Sequence, residues 1–121
     1  MSIQLQIVEM PGYLAAKFTG LGATEEIWRQ FELVAERCDR ANKNKLLLDF
    51  VGAYADASLP NRYFMAERAE IFTHYKVIKV AVAVRSERLD AQRFGEMAMR
   101  NRGVNARVFT NVEDAEKWLL E

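Results

Sequence analysis

The chain has 121 residues, of which 50% are hydrophobic and 28% are charged, a composition typical of a globular domain and unlike that of a disordered segment. Its 17 basic and 17 acidic side chains cancel. That balance lacks the surplus of Lys and Arg on which general binding to nucleic acid or to an anionic membrane rests. A chain of this length is expected to form a single domain over residues 1–121, built around one core.

Cysteine content and the N-terminal sequence bear on the cellular compartment. Cys38 is the only cysteine, so no internal disulfide can form and nothing favours an oxidising compartment. The first residues lack the basic region and the apolar stretch of a secretory signal. No apolar run approaches the roughly 20 residues that a membrane span needs. We therefore expect a cytoplasmic protein with no integral membrane segment.

The N-terminal third of the chain predicts a hairpin followed by a helix. Residues 3–10 and 13–19 alternate apolar and polar side chains, and Pro11-Gly12 between them is typical of a turn. A second break is predicted at residues 20–22, where two glycines flank Leu21. Thr24 is the expected N-cap of a helix that ends near residues 42–44. The apolar side of this helix is expected to comprise Ile27, Phe31, Val34, Ala35 and Cys38.

The remaining chain alternates strands with helices. Strands are predicted at residues 46–51, 78–84 and 106–110, a loop at 52–57, and helices from Ser58 to about Tyr75, at 89–101 before Gly103, and after the cap Asn111. The predicted order is ββαβαβαβα, with five strands and four helices. Such alternation favours an α/β domain with a mixed, mostly parallel sheet, to which the first strand is added antiparallel.

Three short stretches resemble the SpoIIAA-like, STAS-related domains. They are the apolar strand Leu-Leu-Leu-Asp at 46–49, the loop Asp-Ala-Ser at 56–58, and the C-terminal segment 107–119, with Arg-Val-Phe-Thr followed by Glu-Asp-Ala-Glu-Lys-Trp-Leu. The resemblance implies the SpoIIAA-like (STAS-like) βα superhelix. It also implies a protein partner, since STAS anti-sigma-factor antagonists act by docking to a protein kinase or a sigma-factor antagonist.

The same resemblance implies a phosphorylation site. Those antagonists carry Asp-Ser-Ser/Thr-Gly at the start of the second helix, and the matching positions here are Asp56, Ala57, Ser58 and Leu59. The acid and the second hydroxyl are present, whereas the first hydroxyl and the glycine are absent. A phosphate on Ser58 would be stabilised by free backbone N–H groups and by the helix dipole. The alternative is a plain N-cap, the ordinary role of a serine at a helix start.

The predicted second helix has more apolar surface than one buried side needs. Consecutive residues of a helix point about 100° apart, so the apolar run Tyr63, Phe64 and Met65 extends over more than one side of the helix. Ile71 and Tyr75 extend the surplus. Either this helix packs in a thick core, or Asp56, Tyr63, Phe64, Ile71 and Tyr75 form a surface for a protein partner, for a second copy of the chain, or for an apolar ligand.

Reactive groups give a weaker signal. No nucleophile–base pair, no metal-ligand spacing and no phosphate-cradling glycine motif is found, so no catalytic residue, metal or cofactor is predicted. His74 and Cys38 are expected at the surface and in the core, respectively. The methionines of the third helix, Met97 and Met99, are expected chiefly as core packing. A local surplus of arginines over residues 85–107 favours a solvated helix face with intrahelical ion pairs over an anion site.

The sequence therefore favours a non-enzymatic regulatory or protein-binding module of the STAS type. The alternative is a small carrier that holds an apolar or lipid ligand between helices and sheet, as in CRAL-TRIO domains, to which relatives of this family are compared. A small enzyme using Asp49, Asp56 or His74 is a weaker third hypothesis, because the sequence gives no distance between these groups.

Overall fold

The structure, a computed structural model, describes residues 3–22, 24–55, 70–88, 96–97 and 99–121. Five strands form one sheet: β1 (Gln4–Met10), β2 (Tyr13–Gly22), β3 (Lys45–Ala55), β4 (Lys79–Ala83) and β5 (Ala106–Phe109). The described helical stretches are α1 (Thr24–Arg40), α2 (Ile71–His74), α3 (residues 96–97 and 99–101) and α4 (Val112–Leu119). A 3-10 turn, Ser86–Arg88, follows β4.

The sheet has the predicted mixed topology. Its strand order is β1-β2-β3-β4-β5, with β1 antiparallel to β2 and the other neighbours parallel. The hairpin between β1 and β2 turns at Gly12, whose φ of 86° suits glycine because it has no Cβ. The predicted α/β fold class is confirmed.

Helices cover the two faces of the sheet unequally. Because each crossover from β2 to β5 advances one strand in the same direction, a right-handed connection places every intervening helix on the same face. Residues of α1, α2 and α3 accordingly share one apolar cluster with β2 and β3, on what we call the three-helix face. The opposite face, called the α4 face, has a smaller buried cluster with α4: Tyr13, Leu47, Ala81, Ala83, Ala115 and Leu119.

The apolar side of α1 is confirmed. Ile27, Phe31, Val34, Ala35 and Cys38 are all at most 4% exposed. The Cys38 thiol donates a hydrogen bond to the Lys43 carbonyl oxygen at 3.2 Å, which links the helix to the loop before β3. Met99 of α3 also lies in this core, whereas Met97 is 64% exposed. The expectation of core packing is therefore confirmed for Met99 and wrong for Met97.

Three helices end in the same backbone motif. In each, a residue with positive φ follows the helix, and the next N–H donates to a carbonyl five residues back, as in a Schellman motif. The positive-φ residues are Asn42, Lys76 and Gly103, and the bonds are Lys43 N to Cys38 O, Val77 N to Phe72 O, and Val104 N to Met99 O. Val77 and Val104 are buried directly after these turns, so the motif directs the chain back into the core.

Two predicted breaks are wrong. The chain remains a strand through residues 20–22 and through 52–55, where sequence signals indicated a break and a loop. The two extensions pair with each other, from Thr19 opposite Gly52 to Gly22 opposite Ala55. A Cβ on Gly52 would lie 3.2 Å from Thr19 Cγ2, so this glycine permits close approach of two strands and does not end one.

Polar contacts hold α4 on its face of the sheet. The Tyr13 hydroxyl donates to Glu116 Oε2 at 2.6 Å, and Lys79 Nζ donates to the Trp118 carbonyl oxygen at 2.9 Å. Burial and the Glu116 carboxylate raise the pKa of Tyr13 to about 12. The predicted cap is confirmed, since the Asn111 side chain accepts from the Asp114 N–H at 2.8 Å.

Candidate functional site

The carboxyl ends of β2, β3, β4 and β5 lie along one edge of the sheet, because these strands are parallel. In open α/β sheets this edge is where binding groups usually gather. In the sequence, the predicted phosphorylation site Ser58 comes three residues after the end of β3. Asp56, Ser58, Tyr63 and Phe64 all lie outside the described residues, so their predicted roles stay predictions.

The most distinctive feature of this edge is a two-stranded projection. β3 pairs with β4 only as far as Asp49, opposite Ala83, and then continues along β2 alone. We call residues 19–22 and 52–55 the β2–β3 arm. The arm extends the sheet past the end of β4 and leads directly into residue 56.

A β-bulge lies at the base of the arm. Lys17 pairs with Asp49 and Thr19 pairs with Gly52, so Phe18 alone on β2 faces both Phe50 and Val51 on β3. The rings of Phe18 and Phe50 stack with their centroids 4.5 Å apart on the three-helix face. A bulge adds local twist and changes the direction of a strand. Here it is the point at which β3 parts from β4.

Two polar side chains fix the backbone of the bulge. Asp49 Oδ1 accepts from the Val51 N–H at 3.0 Å. Arg85, two residues past β4, donates from Nε to the Val51 carbonyl oxygen at 2.7 Å. Both backbone groups of Val51 are therefore bound by side chains, and the Arg85 bond joins the end of β4 to the arm. A charged donor makes this bond stronger than one between neutral groups.

The arm and the bulge at its base present apolar side chains to solvent. Leu21 of the arm is 54% exposed and Val51 of the bulge is 36% exposed, whereas Ala53 of the arm is buried in the core. The arm is thus anchored on the three-helix face and apolar on its exposed side. Such a combination suits contact with another macromolecule more than it suits chemistry.

The described part of the second helix has a buried and an exposed side. Phe72 is fully buried, with its ring centroid 5.3 Å from that of Phe31. Ile71 and Tyr75, which were predicted to contact a partner, are half-buried and pack against the core cluster. His74 is exposed, as expected, and its ring lies edge-on to that of Tyr75 at 5.0 Å. Ile71 and Tyr75 keep partial exposure, and their role at a surface stays a prediction.

Two of the candidate reactive groups, Cys38 and Asp49, form local hydrogen bonds to the backbone. Burial and the Asp39 carboxylate raise the pKa of the Cys38 thiol to about 11, so the sulfur stays protonated and unreactive at neutral pH. The Asp49 carboxylate bonds a backbone N–H of its own strand. Within the described ranges, no three His, Cys, Asp or Glu side chains are grouped as they would be around a metal ion.

Three arginines of this run, Arg85, Arg100 and Arg107, contact other groups of the described chain. Arg100 forms the expected intrahelical ion pair with Glu96 at 3.5 Å, and Arg107 lies over the Phe109 ring at 5.4 Å. Arg85 binds the bulge, as described above. Sequence reasoning placed Arg85 in this run of basic residues but did not assign it to β3, because Arg85 and Val51 are 34 residues apart.

Comparison with known proteins supports the fold assignment. No protein-family model matches the sequence, and no curated protein matches it. Among solved structures, the chain is similar to an uncharacterized protein of the DUF3478 family with a SpoIIAA-like fold from Shewanella loihica PV-4, with TM-score 0.61 and 20% identity over 97% of this chain and 93% of that one. It is also similar to an anti-sigma factor antagonist from Mycobacterium paratuberculosis, with TM-score 0.62 and 13% identity over 99% of this chain and 96% of that one.

These likenesses define the class of fold. The chain has the SpoIIAA-like fold, a mixed five-stranded sheet with helices on both faces. The resemblance seen in the sequence is thereby confirmed at the level of architecture. At 20% and 13% identity the likeness concerns the fold and not the activity.

Proposed function

We propose that this chain is a non-enzymatic regulatory module that binds a protein partner at the carboxyl edge of its sheet. The observation that supports this most is the β2–β3 arm, an anchored projection with an exposed apolar side. A protein surface of this kind needs shape and apolar area, and it does not need reactive groups. The proposal places this activity in the cytoplasm.

The arm is fixed at its base, which favours its use as a preformed binding surface. Arg85 and Asp49 hold both backbone groups of Val51, and the stacked rings of Phe18 and Phe50 lie at the same level of the sheet. A segment fixed before binding loses little conformational entropy when the complex forms. Leu21 and Val51 would then supply apolar contact area at the centre of the interface.

Likeness to a solved anti-sigma factor antagonist supports the class of partner. That protein is named for an action on another protein, which accords with docking as the task of this fold here. We further propose that Ser58, three residues after the arm, is a phosphorylation site that alters this surface. A phosphate there would add strong negative charge three residues after the arm in the sequence.

The carrier hypothesis receives less support from the described residues. A lipid between helices and sheet would occupy the three-helix face. The side chains of Phe18, Ile27, Phe72 and Leu46 are already fully buried there in one apolar cluster. Interiors packed to ordinary density leave no room for a ligand without displacing side chains. In the described ranges, no helix has the length and apolar composition that crossing a membrane requires.

The proposal can be tested by changing the arm without changing the core. Leu21→Glu places a charge on the exposed side of the arm, and Leu33→Glu is a matched control because Leu33 is 45% exposed on α1. Affinity capture from the native cells, quantified by mass spectrometry, should recover a protein with the wild type and with Leu33→Glu. We expect recovery with Leu21→Glu to fall by about tenfold, as for loss of an interface hot spot.

Equal recovery by the two variants would refute docking at the arm. Native mass spectrometry of the purified chain distinguishes the carrier hypothesis from the partner-binding proposal, because a bound lipid adds its mass to the protein. Phosphopeptide analysis of the same native material tests Ser58 directly, and Ser58→Ala should remove any phosphate found there.

A further inference from the structure

The two edge strands of the sheet differ in length and in how their backbone groups are protected from pairing. β5 forms one edge and has only four residues, whereas β1 forms the other edge and has seven. Edge strands expose unpaired N–H and C=O groups that can recruit another strand, and proteins usually protect them with charge, proline, shortness or a covering element.

The β5 edge is closed by an ion pair. Val80 N and Val84 N donate to the carbonyl oxygens of Asn105 and Phe109, so those residues of the β5 segment direct their backbone groups toward β4. The alternate residues, Ala106 and Val108, therefore direct theirs to the open side.

Two side chains of α3 bind those outward groups. Arg100 Nε donates to the Ala106 carbonyl oxygen at 2.6 Å, and the Val108 N–H donates to Glu96 Oε2 at 3.1 Å. Because Glu96 and Arg100 also pair with each other, one salt bridge covers one outward backbone group of Ala106 and one of Val108.

The β1 edge has no such protection in the described part of the chain. Its sequence, Gln-Leu-Gln-Ile-Val-Glu-Met, contains neither lysine nor proline, and its pairing with β2 is continuous and without a bulge. Within the described ranges, the backbone of β1 bonds only to β2. Leu5 and Ile7 point toward the three-helix face but remain half-buried there.

We propose that β1 binds the β1 strand of a second copy of this chain, antiparallel, about a two-fold axis near Gln6. This register places Leu5 opposite Ile7 of the second copy, on the same face, and completes the burial of both. Gln4 falls opposite Val8 of the second copy, and the only charge, Glu9, does not meet its own equivalent.

This self-complementary pattern selects a second copy over an unrelated strand. Antiparallel pairing about Gln6 keeps every side chain on its own face, so the Leu5–Ile7 contact forms twice, once on each side of the axis. The product is one continuous sheet of ten strands, five from each copy.

The dimer would leave the proposed docking surface free. A two-fold axis through β1 makes β2 to β5 of the two copies point in opposite directions. The two carboxyl edges, each with its β2–β3 arm, then lie at opposite ends of the assembly. The inference does not rest on the proposed function, and either can fail without the other.

Charge substitutions at Gln6 test the interface. Gln6 is exposed and lies opposite Lys17 of β2, so Gln6→Glu gains a neighbour of opposite charge within the monomer. Across the proposed axis, the same change places two carboxylates opposite each other. Asn105→Glu is the matched control, since it adds the same charge on an exposed residue next to β5.

Sedimentation equilibrium at low salt over a concentration series should show a dimer for the wild type and for Asn105→Glu. We expect the dimer Kd of Gln6→Glu to rise by roughly fivefold, the effect of one like-charge pair directly opposite in a sheet. A mixture of Gln6→Glu with Gln6→Lys should restore association, because opposite charges then face each other.

Amide hydrogen exchange locates the surface independently of mutation. Alternate amides of β1 should exchange quickly in dilute wild-type protein and become protected as the dimer forms. A wild type that stays monomeric at every concentration would overturn the proposal. So would a dimer that leaves the β1 amides unprotected, or one equally weakened by Gln6→Glu and Asn105→Glu.

Discussion

The two faces of the sheet differ in how they are stabilised. The three-helix face is dominated by large buried side chains, among them Phe18, Ile27 and Phe72. The buried cluster of the α4 face includes three alanines, and polar bonds from Tyr13 and Lys79 tie α4 to the sheet. The free energy gained by burying apolar area is large and does not depend on direction. The free energy of a single hydrogen bond is smaller and depends on its direction. One face thus supplies most of the stability, and the other sets the position of a single helix.

Removing a large side chain from the three-helix face should have the largest effect. Phe18 is fully buried and stacks on Phe50, so Phe18→Ala removes a ring and leaves a cavity that the neighbouring strands cannot close. We expect the free energy of unfolding to fall by about 3–5 kcal/mol, measured by denaturant titration. Leu33→Ala, at a 45% exposed residue of α1, should change it by less than ~0.5 kcal/mol. Similar losses in the two variants would contradict the importance of this face.

Removing a directional bond from the α4 face should have a smaller effect. Tyr13→Phe deletes the 2.6 Å bond to Glu116 and leaves the ring in place. We expect the free energy of unfolding to fall by about 1–2 kcal/mol at neutral pH.

Because of this bond, we also expect the stability of the protein to depend on pH. Tyr13 in the unfolded chain ionises near pH 10.0, whereas in the folded protein it keeps its proton up to about pH 12.

The sign of that dependence follows from proton binding. Between these two pH values the folded state holds more protons than the unfolded state, so stability declines as pH rises through this window. The stability advantage of the wild type over Tyr13→Phe should therefore be full below pH 10.0 and should shrink toward pH 12. Denaturant titrations of both proteins at several alkaline pH values measure this difference. A constant difference across the window would show that the hydroxyl is not held in the folded state.

The smallest expected effect is a gain in stability at the end of α2. Lys76 has a φ of 63°, which is strained for a residue with a Cβ, so Lys76→Gly should stabilise the protein by about 0.5–1 kcal/mol. Gly103→Ala is the converse, because Gly103 has a φ of 85° and a Cβ there would meet no atom within 4 Å. It should cost about 1 kcal/mol from backbone strain alone. Thermal unfolding of the two variants checks both signs, and a loss in Lys76→Gly would refute the strain.

Sequence reasoning was most successful where the deciding interactions are local. The turn at Pro11-Gly12, the apolar side of α1 and the cap at Asn111 each depend on residues within a few positions of one another. The β2–β3 arm was missed because its glycines resemble strand breaks until the partner strand is known. Pairing between distant segments supplied the information that local patterns lacked.

The candidate site was predicted less fully than the fold. Ser58 and Asp56 were predicted from a motif and stay predictions, whereas the arm that precedes them in the sequence was not foreseen. Its fixation depends on Arg85, whose partner is 34 residues away and is a backbone carbonyl, so no side-chain pattern records it. The Glu96–Arg100 pair was expected from its spacing, whereas its contacts with β5 follow only from tertiary placement.

The bulge opposite Phe18 accommodates one more residue on β3 than on β2. Because side chains otherwise alternate along a strand, this extra residue allows Phe50 and Ala53, three positions apart, both to turn toward the core. Deletion of Val51 would place Phe50 opposite Phe18 and Gly52 opposite Thr19 in regular alternation, so the arm would keep its inward and outward sides and would lose the carbonyl oxygen that Arg85 binds. A chain shorter by this one residue should therefore still form the arm, but without the link between the arm and the end of β4.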